Sequence, residues 1–279
     1  MSGYGFMLAA AFLWGLIGPT SRLAFAHGMA PLEVAFWRAV LGGALFGLHA
    51  ACRGQLRVAG RDLPTVLGFG LVGVGGFYAA YQLAVRAGGG AMAAVLLYTA
   101  PAWVAVLSWL FLKEPLGPRQ GLALVLTMAG VAGVSLQGGE VRLHGAGILW
   151  GLISGFTYAL YYLFGKRYLG RYEIPTLFAY AMPTGALSLL PLIPLRFPTA
   201  DGVAWAAVLF LTVCSTYLAY LAYSAGLQRL EATRAAVVAT VEPVVAAVVS
   251  YLVWGERLGP LGVLGAALIL LGVGILMRG

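Results

Sequence analysis

Few side chains in this 279-residue sequence can do chemistry, and their spacing narrows what that chemistry is. Glu242 lies in an apolar run that opens near Ala232, so ten residues at about 1.5 Å each carry it about 15 Å along a helix, to the midplane of a bilayer. A carboxylate at that depth costs about 3 kcal/mol or more unless paired, protonated or hydrated, so it must face a bundle interior. There it can hold a substrate amino group, carry a coupling proton, or, as a neutral acid, hydrogen-bond backbone freed by Pro243. Arg22 and Arg38 sit near the ends of apolar runs, where the spacing predicts anchors that snorkel outward. Either guanidinium can alternatively grip a substrate carboxylate in bidentate fashion. Glu114 and Glu256 occupy equivalent run ends and are expected to stabilise helix termini.

Enzyme chemistry finds no support in the same residues. His27, His49 and His144 are isolated in sequence, Asp62 and Asp201 fall in loops at opposite faces, and no H-E-x-x-H, G-x-S-x-G or G-x-x-x-x-G-K-[ST] pattern occurs. No catalytic residue, metal ligand, cofactor or direct use of ATP is therefore expected. Cys52 and Cys214 lie far apart without Cys or His at ligand spacing, which argues against a disulfide or zinc framework. The formal charge of +8 is carried by basic residues scattered between apolar runs, a pattern of membrane orientation and not of nucleic-acid binding.

Aromatic residues supply the second chemical signal. Helical spacing puts Tyr78, Tyr81 and Gln82 on one face, Tyr158, Tyr161 and Tyr162 on another, and Tyr217, Tyr220 and Ser224 on a third. Trp14 falls about eleven residues into its run, near the depth of Glu242, and Tyr98 is one turn before Pro101. Trp14, Tyr78, Tyr81, Gln82, Tyr98, Tyr158, Tyr220 and Glu242 are thus the candidate substrate-binding residues, lining a cavity for apolar or aromatic solutes with a polar end. An interfacial aromatic belt claims some of these rings in the alternative. Pro101 and Pro243 each remove a helical donor near mid-run and are candidate hinges. Gly147, Gly151 and Gly155 form a small face that lets a neighbouring helix approach closely.

The elements that must position these residues follow from composition. The chain is 61% apolar and 9% charged, against about 25% charged in soluble domains, and its mean hydropathy is +0.92. Ten apolar segments emerge, at roughly 3 to 26, 33 to 52, 63 to 86, 90 to 112, 117 to 136, 145 to 165, 174 to 195, 203 to 226, 232 to 254 and 259 to 277. They do not alternate as barrel strands do, so the fold class is all-α: a polytopic membrane protein of ten transmembrane helices. With the N-terminus inside, eleven Lys and Arg of the connections fall on the cytoplasmic side and five, Arg22, Arg86, Arg142, Arg196 and Arg257, on the other, so both termini are expected in the cytoplasm.

The chain is also written twice. Residues 94–116 recur as 236–258, with Pro101 on Pro243, Ser108 on Ser250 and Glu114 on Glu256 at a shift of 142, while Pro31 matches Pro175 at 144. Each copy, 1–139 and 140–279, holds five segments, and an odd number makes the second copy enter the membrane from the opposite face. Inverted repeats of this kind support alternating access.

These paired segments, each with a mid-run Pro, small residues, a terminal acid and a following Gly-rich helix, resemble the EamA repeat of the drug/metabolite transporter superfamily. Trp14-Gly15, Phe36-Trp37-Arg38 and Tyr81-Gln82-Leu83-Ala84 resemble its pattern as well. The ten-segment, two-copy form is most similar to bacterial metabolite exporters such as the YddG group, which implies export of aromatic and other amino acids. Small multidrug members of the superfamily use an acid in the first span, and this first span has none, which leaves Glu242 for any coupling proton. Nucleotide sugars fit poorly, since few basic residues lie deep. The expectation is a monomeric, multi-pass inner-membrane exporter in contact with lipid and a small-molecule substrate. A drug or other metabolite exporter driven by protons, a channel, and a non-transporting scaffold are the alternatives.

Overall fold

The computed structural model describes residues 2–136, 145–193 and 201–278. Among them every regular element is helical: α1 (Gly3–Ala26), α2 (Pro31–Cys52), α3 (Leu63–Gly88), α4 (Gly90–Leu112), α5 (Pro118–Ser135), α6 (Gly145–Tyr168), α7 (Ile174–Leu189), α8 (Gly202–Leu227), α9 (Ala232–Trp254) and α10 (Pro260–Met277). Eight are long and apolar enough to cross a membrane, and α5 and α7 fall short. Pro118-Arg119-Gln120 dilute the apolar content of α5. The 16 residues of α7 rise only about 24 Å, less than a hydrocarbon core of about 30 Å, because the chain tightens into a 3₁₀ turn holding Pro191 over Leu190–Leu192. The segments expected over 117 to 136 and 174 to 195 are therefore helical but shorter than anticipated. Arg142, His144 and Arg196 lie outside the described residues.

Smaller shifts have local causes. Helix α2 starts at Pro31, two residues before the expected boundary: proline suits the first turn, and the Glu33 carboxylate accepts the Ala30 N–H at 2.8 Å. Helices α3 and α6 run on to Gly88 and Tyr168.

Helix contacts set the layout. Gly130 and Gly133 of α5 meet Gly265 and Leu261 of α10, while Thr127 and Ala123 meet Gly272, so the two helices run antiparallel in close contact. Helices α2 and α7 do the same, with Gly43 against Pro183 and Gly47 facing Ala179. The outer faces of α5 and α10 are apolar and exposed, including Val125, Val263 and Leu271, as expected for a peripheral pair.

Polar contacts gather at the two ends of the bundle. At one end Arg171 and the Tyr172 hydroxyl both donate to Asp62, at 2.7 and 2.8 Å, and Glu114 accepts the Ala232 N–H at 2.8 Å with Lys166 at 3.6 Å. Gln120, Glu231, Arg234 and Tyr4 join α1, α5 and α9 at that same end. At the other, Arg22 pairs with Glu256 and lies over the Trp254 ring, and His27 meets Asp201 at 2.7 Å. His27 is therefore not isolated, and its partner, 174 positions away, also caps the N-terminus of α8. His49 likewise has a partner, the Tyr217 hydroxyl at 2.7 Å.

The bonds from Tyr172 and Arg171 hold the Asp62 carboxyl below its ordinary value of 3.8. A lowered folded-state pKa contributes stability that is present above the ordinary value and lost as pH falls through the folded one. Asp62→Asn is accordingly expected to lower the Tm in detergent at pH 7, with the gap to the parent protein closing as the buffer is taken well below pH 3.8. A gap of constant size across that range would show that the carboxylate contributes nothing through its charge.

Candidate substrate-binding site

Three helices break near mid-length. Helix α1 is interrupted at Leu16, α4 at Tyr98 and Thr99, and α9 at Thr240 and Val241. In α4 and α9 the cause is in the sequence: Pro101 and Pro243 occupy the first turn of the resumed helix, where a ring without N–H is tolerated. Hydroxyls take up carbonyls at the breaks, Thr99 donating to Leu96 O and Thr240 to Val237 O, each at 2.6 Å. These bonds let a helix bend at membrane depth with its backbone satisfied. Glu242, which opens the resumed half of α9, makes no hydrogen bond to backbone among the described residues.

Glycines bring the breaks together. A Cβ on Gly15 would lie 2.8 Å from Glu242 O, and one on Gly155 would lie 2.5 Å from Thr99 Oγ1. Only a bare backbone permits such approach of α1 to the α9 break and of α6 to the α4 break. The face of Gly147, Gly151 and Gly155 therefore packs on the end of α3 and the first half of α4, meeting Gly88, Met92, Leu96 and Thr99.

Around the breaks the structure places most of the residues singled out by spacing. The Glu242 carboxylate faces the Tyr98 hydroxyl, with Tyr81, Tyr158 and Tyr162 within electrostatic reach. Trp14 packs on Tyr158 and Tyr220 with ring centroids 6.5 and 5.7 Å apart. Tyr78 lies under the Arg38 guanidinium at 5.9 Å. Gln82 is half-buried and makes no polar contact among the described residues.

Two features depart from expectation. Arg38 does not snorkel. It is 8% exposed, and its Nε and Nη2 donate to Thr216 Oγ1 at 3.3 and 3.1 Å. Position along α2 gave its depth but not its face, and the face points inward because α2 packs on α8 through Gly42 and Thr216. Thr216 belongs to the π-helical stretch Leu211–Leu218, whose counterpart 142 positions earlier is the π-helical Gly70–Gly76 of α3. Such wide turns often mark functional sites. Arg22, by contrast, is committed to Glu256 at the bundle end.

The second departure is the size of the cavity. Tyr98, Pro101, Tyr158, Tyr162, Ala236, Ala239 and Thr240 line a void of about 10 Å³, room for about one water. The aromatic rings expected to line an opening fill it: Trp14 and Tyr162 both contact Tyr223, with centroids 5.6 and 5.4 Å apart, and Tyr161 stacks on Tyr220 at 5.8 Å. Tyr161 and Tyr162, which spacing put on the Tyr158 face, are site neighbours not named among the candidates, and Tyr223 and Thr216 are neighbours that spacing did not select. The first two share the Tyr158 stripe, and that was the available signal.

A bundle of apolar, membrane-length helices, broken at mid-depth around buried polar groups, defines a multi-pass membrane protein. The EamA-like transporter family matches the chain twice, over residues 1–136 and 145–278, and the chain belongs to that family. It is a transporter, not an enzyme. Among its relatives are two uncharacterized transporters of Archaeoglobus fulgidus, one 28% identical over 95% of both chains and the other 32% identical over 94% of this chain and 93% of its own. A probable terminal-alkyne amino-acid exporter of Streptantibioticus cattleyicolor is 26% identical, over 95% of this chain and 90% of its own. A crystal structure at 20% identity superposes with a TM-score of 0.85, covering 98% of this chain and 95% of that one, which establishes the fold.

Proposed function

We propose that this protein exports small metabolites, amino acids with aromatic and apolar side chains among them, across the inner membrane as a monomeric secondary transporter. Ten helices form two inverted repeats, 1–139 and 140–279, with both termini cytoplasmic, and the site between them alternates between the two sides. Support for inversion comes from the helices that occupy matching places in the two copies: α5 against α10 and α2 against α7 run antiparallel. Support for the solute comes from the amino-acid exporter among the relatives. The observation that carries the reading is the convergence of the breaks in α1, α4 and α9 on one acidic group, Glu242. In this arrangement Glu242 holds a substrate amino group or a coupling proton, Trp14, Tyr78, Tyr81, Gln82, Tyr98, Tyr158 and Tyr220 shape the pocket, and Pro101 and Pro243 serve as hinges.

Efflux of labelled amino acids from proteoliposomes tests this directly. Saturable flux above that of protein-free liposomes is expected. Flux that never saturates points to a channel, and none for any small metabolite leaves a scaffold.

Alternating access also assigns a use to two ion pairs. Glu114 and Glu256 match at a shift of 142, and Lys166 and Arg22 match at 144. Glu114–Lys166 and Arg22–Glu256 therefore tie the fourth helix of each copy to the first helix of the other, one at each end of the bundle. Arg22–Glu256 is exposed and Glu114–Lys166 half-buried, and pairs near the surface contribute about 0.2 to 1 kcal/mol, so losing one shifts the conformational balance by up to about fivefold. Glu114→Gln and Glu256→Gln are expected to shift labelling of a cysteine at Ala94 by a membrane-impermeant maleimide in opposite directions, in a background with Cys52 and Cys214 replaced by serine. Shifts of the same sign would refute the assignment.

A further inference from the structure

The interior holds an arginine and a glutamate that do not form an ion pair with each other. Arg38 is buried, spends two donors on one threonine hydroxyl, and has no carboxylate partner among the described residues. Glu242 has no cationic partner within ion-pair distance among the described residues, yet it and Arg38 are within electrostatic reach of one another. An uncompensated charge is among the costliest things to bury in a bilayer, and joining the two in a direct ion pair would relieve both. The fold instead keeps them apart on different helices, α2 and α9. Aromatic rings occupy the space around each pole, Tyr78 against Arg38 and Tyr98 against Glu242. On the Arg38 side, the Tyr161 hydroxyl is buried within electrostatic reach of the guanidinium and faces the Tyr220 hydroxyl.

We infer that Arg38 and Glu242 are the two poles of a zwitterion site, Arg38 with Tyr161 receiving an α-carboxylate and Glu242 with Tyr98 receiving the α-ammonium of the same molecule. The inference rests on the transport reading above and narrows it: the recognised unit is the amino-acid head group, and the side chain is selected only by the surrounding rings. A free zwitterion satisfies both poles. An amino-acid ester or a simple amine leaves Arg38 uncompensated, and an N-acyl amino acid or a simple carboxylate leaves Glu242 so. The guanidinium fork suits a planar carboxylate held through two parallel N–H donors, and the Arg38 Nη1 hydrogens, unused by Thr216, are free to provide part of it.

The test is exchange in proteoliposomes with whichever labelled amino acid moves fastest, inhibited by that amino acid, its methyl ester and its N-acetyl form. The free amino acid is expected to compete at concentrations at least tenfold lower than either blocked form. Blocked forms competing within tenfold would overturn the zwitterion site while leaving transport intact; absence of saturable exchange for every amino acid would overturn both. This comparison needs no variant. Arg38→Gln and Glu242→Gln extend it: the first is expected to narrow the gap for the ester, the second for the N-acetyl form. Both variants narrowing both gaps alike would show that the two side chains do not read separate ends.

Discussion

Glu242→Gln is expected to lower the initial rate of amino-acid exchange at least tenfold while leaving the Tm in detergent within about 2 °C of the parent. The two effects separate because the half-buried carboxylate has no ion pair among the described residues. Its removal breaks no salt bridge, and a glutamine of the same shape still faces the Tyr98 hydroxyl. Among the described residues the negative charge makes no direct ion pair and acts on Arg38 only from a distance. On the proposed reading transport does depend on that charge, since a charge-assisted hydrogen bond to an ammonium contributes about 1.5 to 3 kcal/mol, which is about tenfold or more in rate if formed at the limiting step. Exchange at the parent rate at every pH from about 5 to 8 would return Glu242 to a purely structural place.

What could be read from the sequence divides along a physical line. Depth and periodicity are local properties, and they placed the helices, the breaks before Pro101 and Pro243, and the α1 turn holding Trp14 and Gly15 at the level of Glu242. Orientation about a helix axis is set by neighbours, and there the reading failed. Arg38 has the depth expected of it, but the contact of Gly42 with Thr216, across 174 residues of sequence, turns its guanidinium inward. His27 with Asp201, equally far apart, was invisible for the same reason. Counting aromatic residues predicted an opening, whereas the packing of Trp14, Tyr162 and Tyr223 closes it to the size of a water. On the proposed route, passage of a solute requires these rings to part, and the interrupted helices carry them: Trp14 lies beside the break in α1 and Tyr98 within that of α4.

Replacing Gly130 is expected to damage the fold more than any single change at the polar centre. A methyl group there would lie 2.5 Å from Gly265 O and 2.8 Å from Ile269 Cγ1, and Gly265 is hemmed in equally by Gly130 O at 2.5 Å and Val134 N at 2.8 Å. Backbone atoms on a facing helix cannot turn aside as a side chain can, so even alanine must push α5 and α10 apart along the contact that also holds Gly133 and Gly272. Lipid supplies no hydrophobic force to pull them back, because the association depends on close van der Waals packing. One surplus methyl in a tight contact costs about 1 to 3 kcal/mol, and a leucine exceeds the margin by which most folds persist. Gly130→Ala should lower the Tm in detergent by several degrees, and Gly130→Leu should give no monodisperse protein. Gly274, on the same α10 but with open space where its Cβ would be, supplies the internal comparison. There alanine gains helix propensity of about 1 kcal/mol against no steric cost, so Gly274→Ala should hold or raise the Tm. Equal Tm values for Gly130→Ala and Gly274→Ala would mean that the two helices do not meet at Gly130, and with them would go the antiparallel pairing that supports the proposed inverted arrangement.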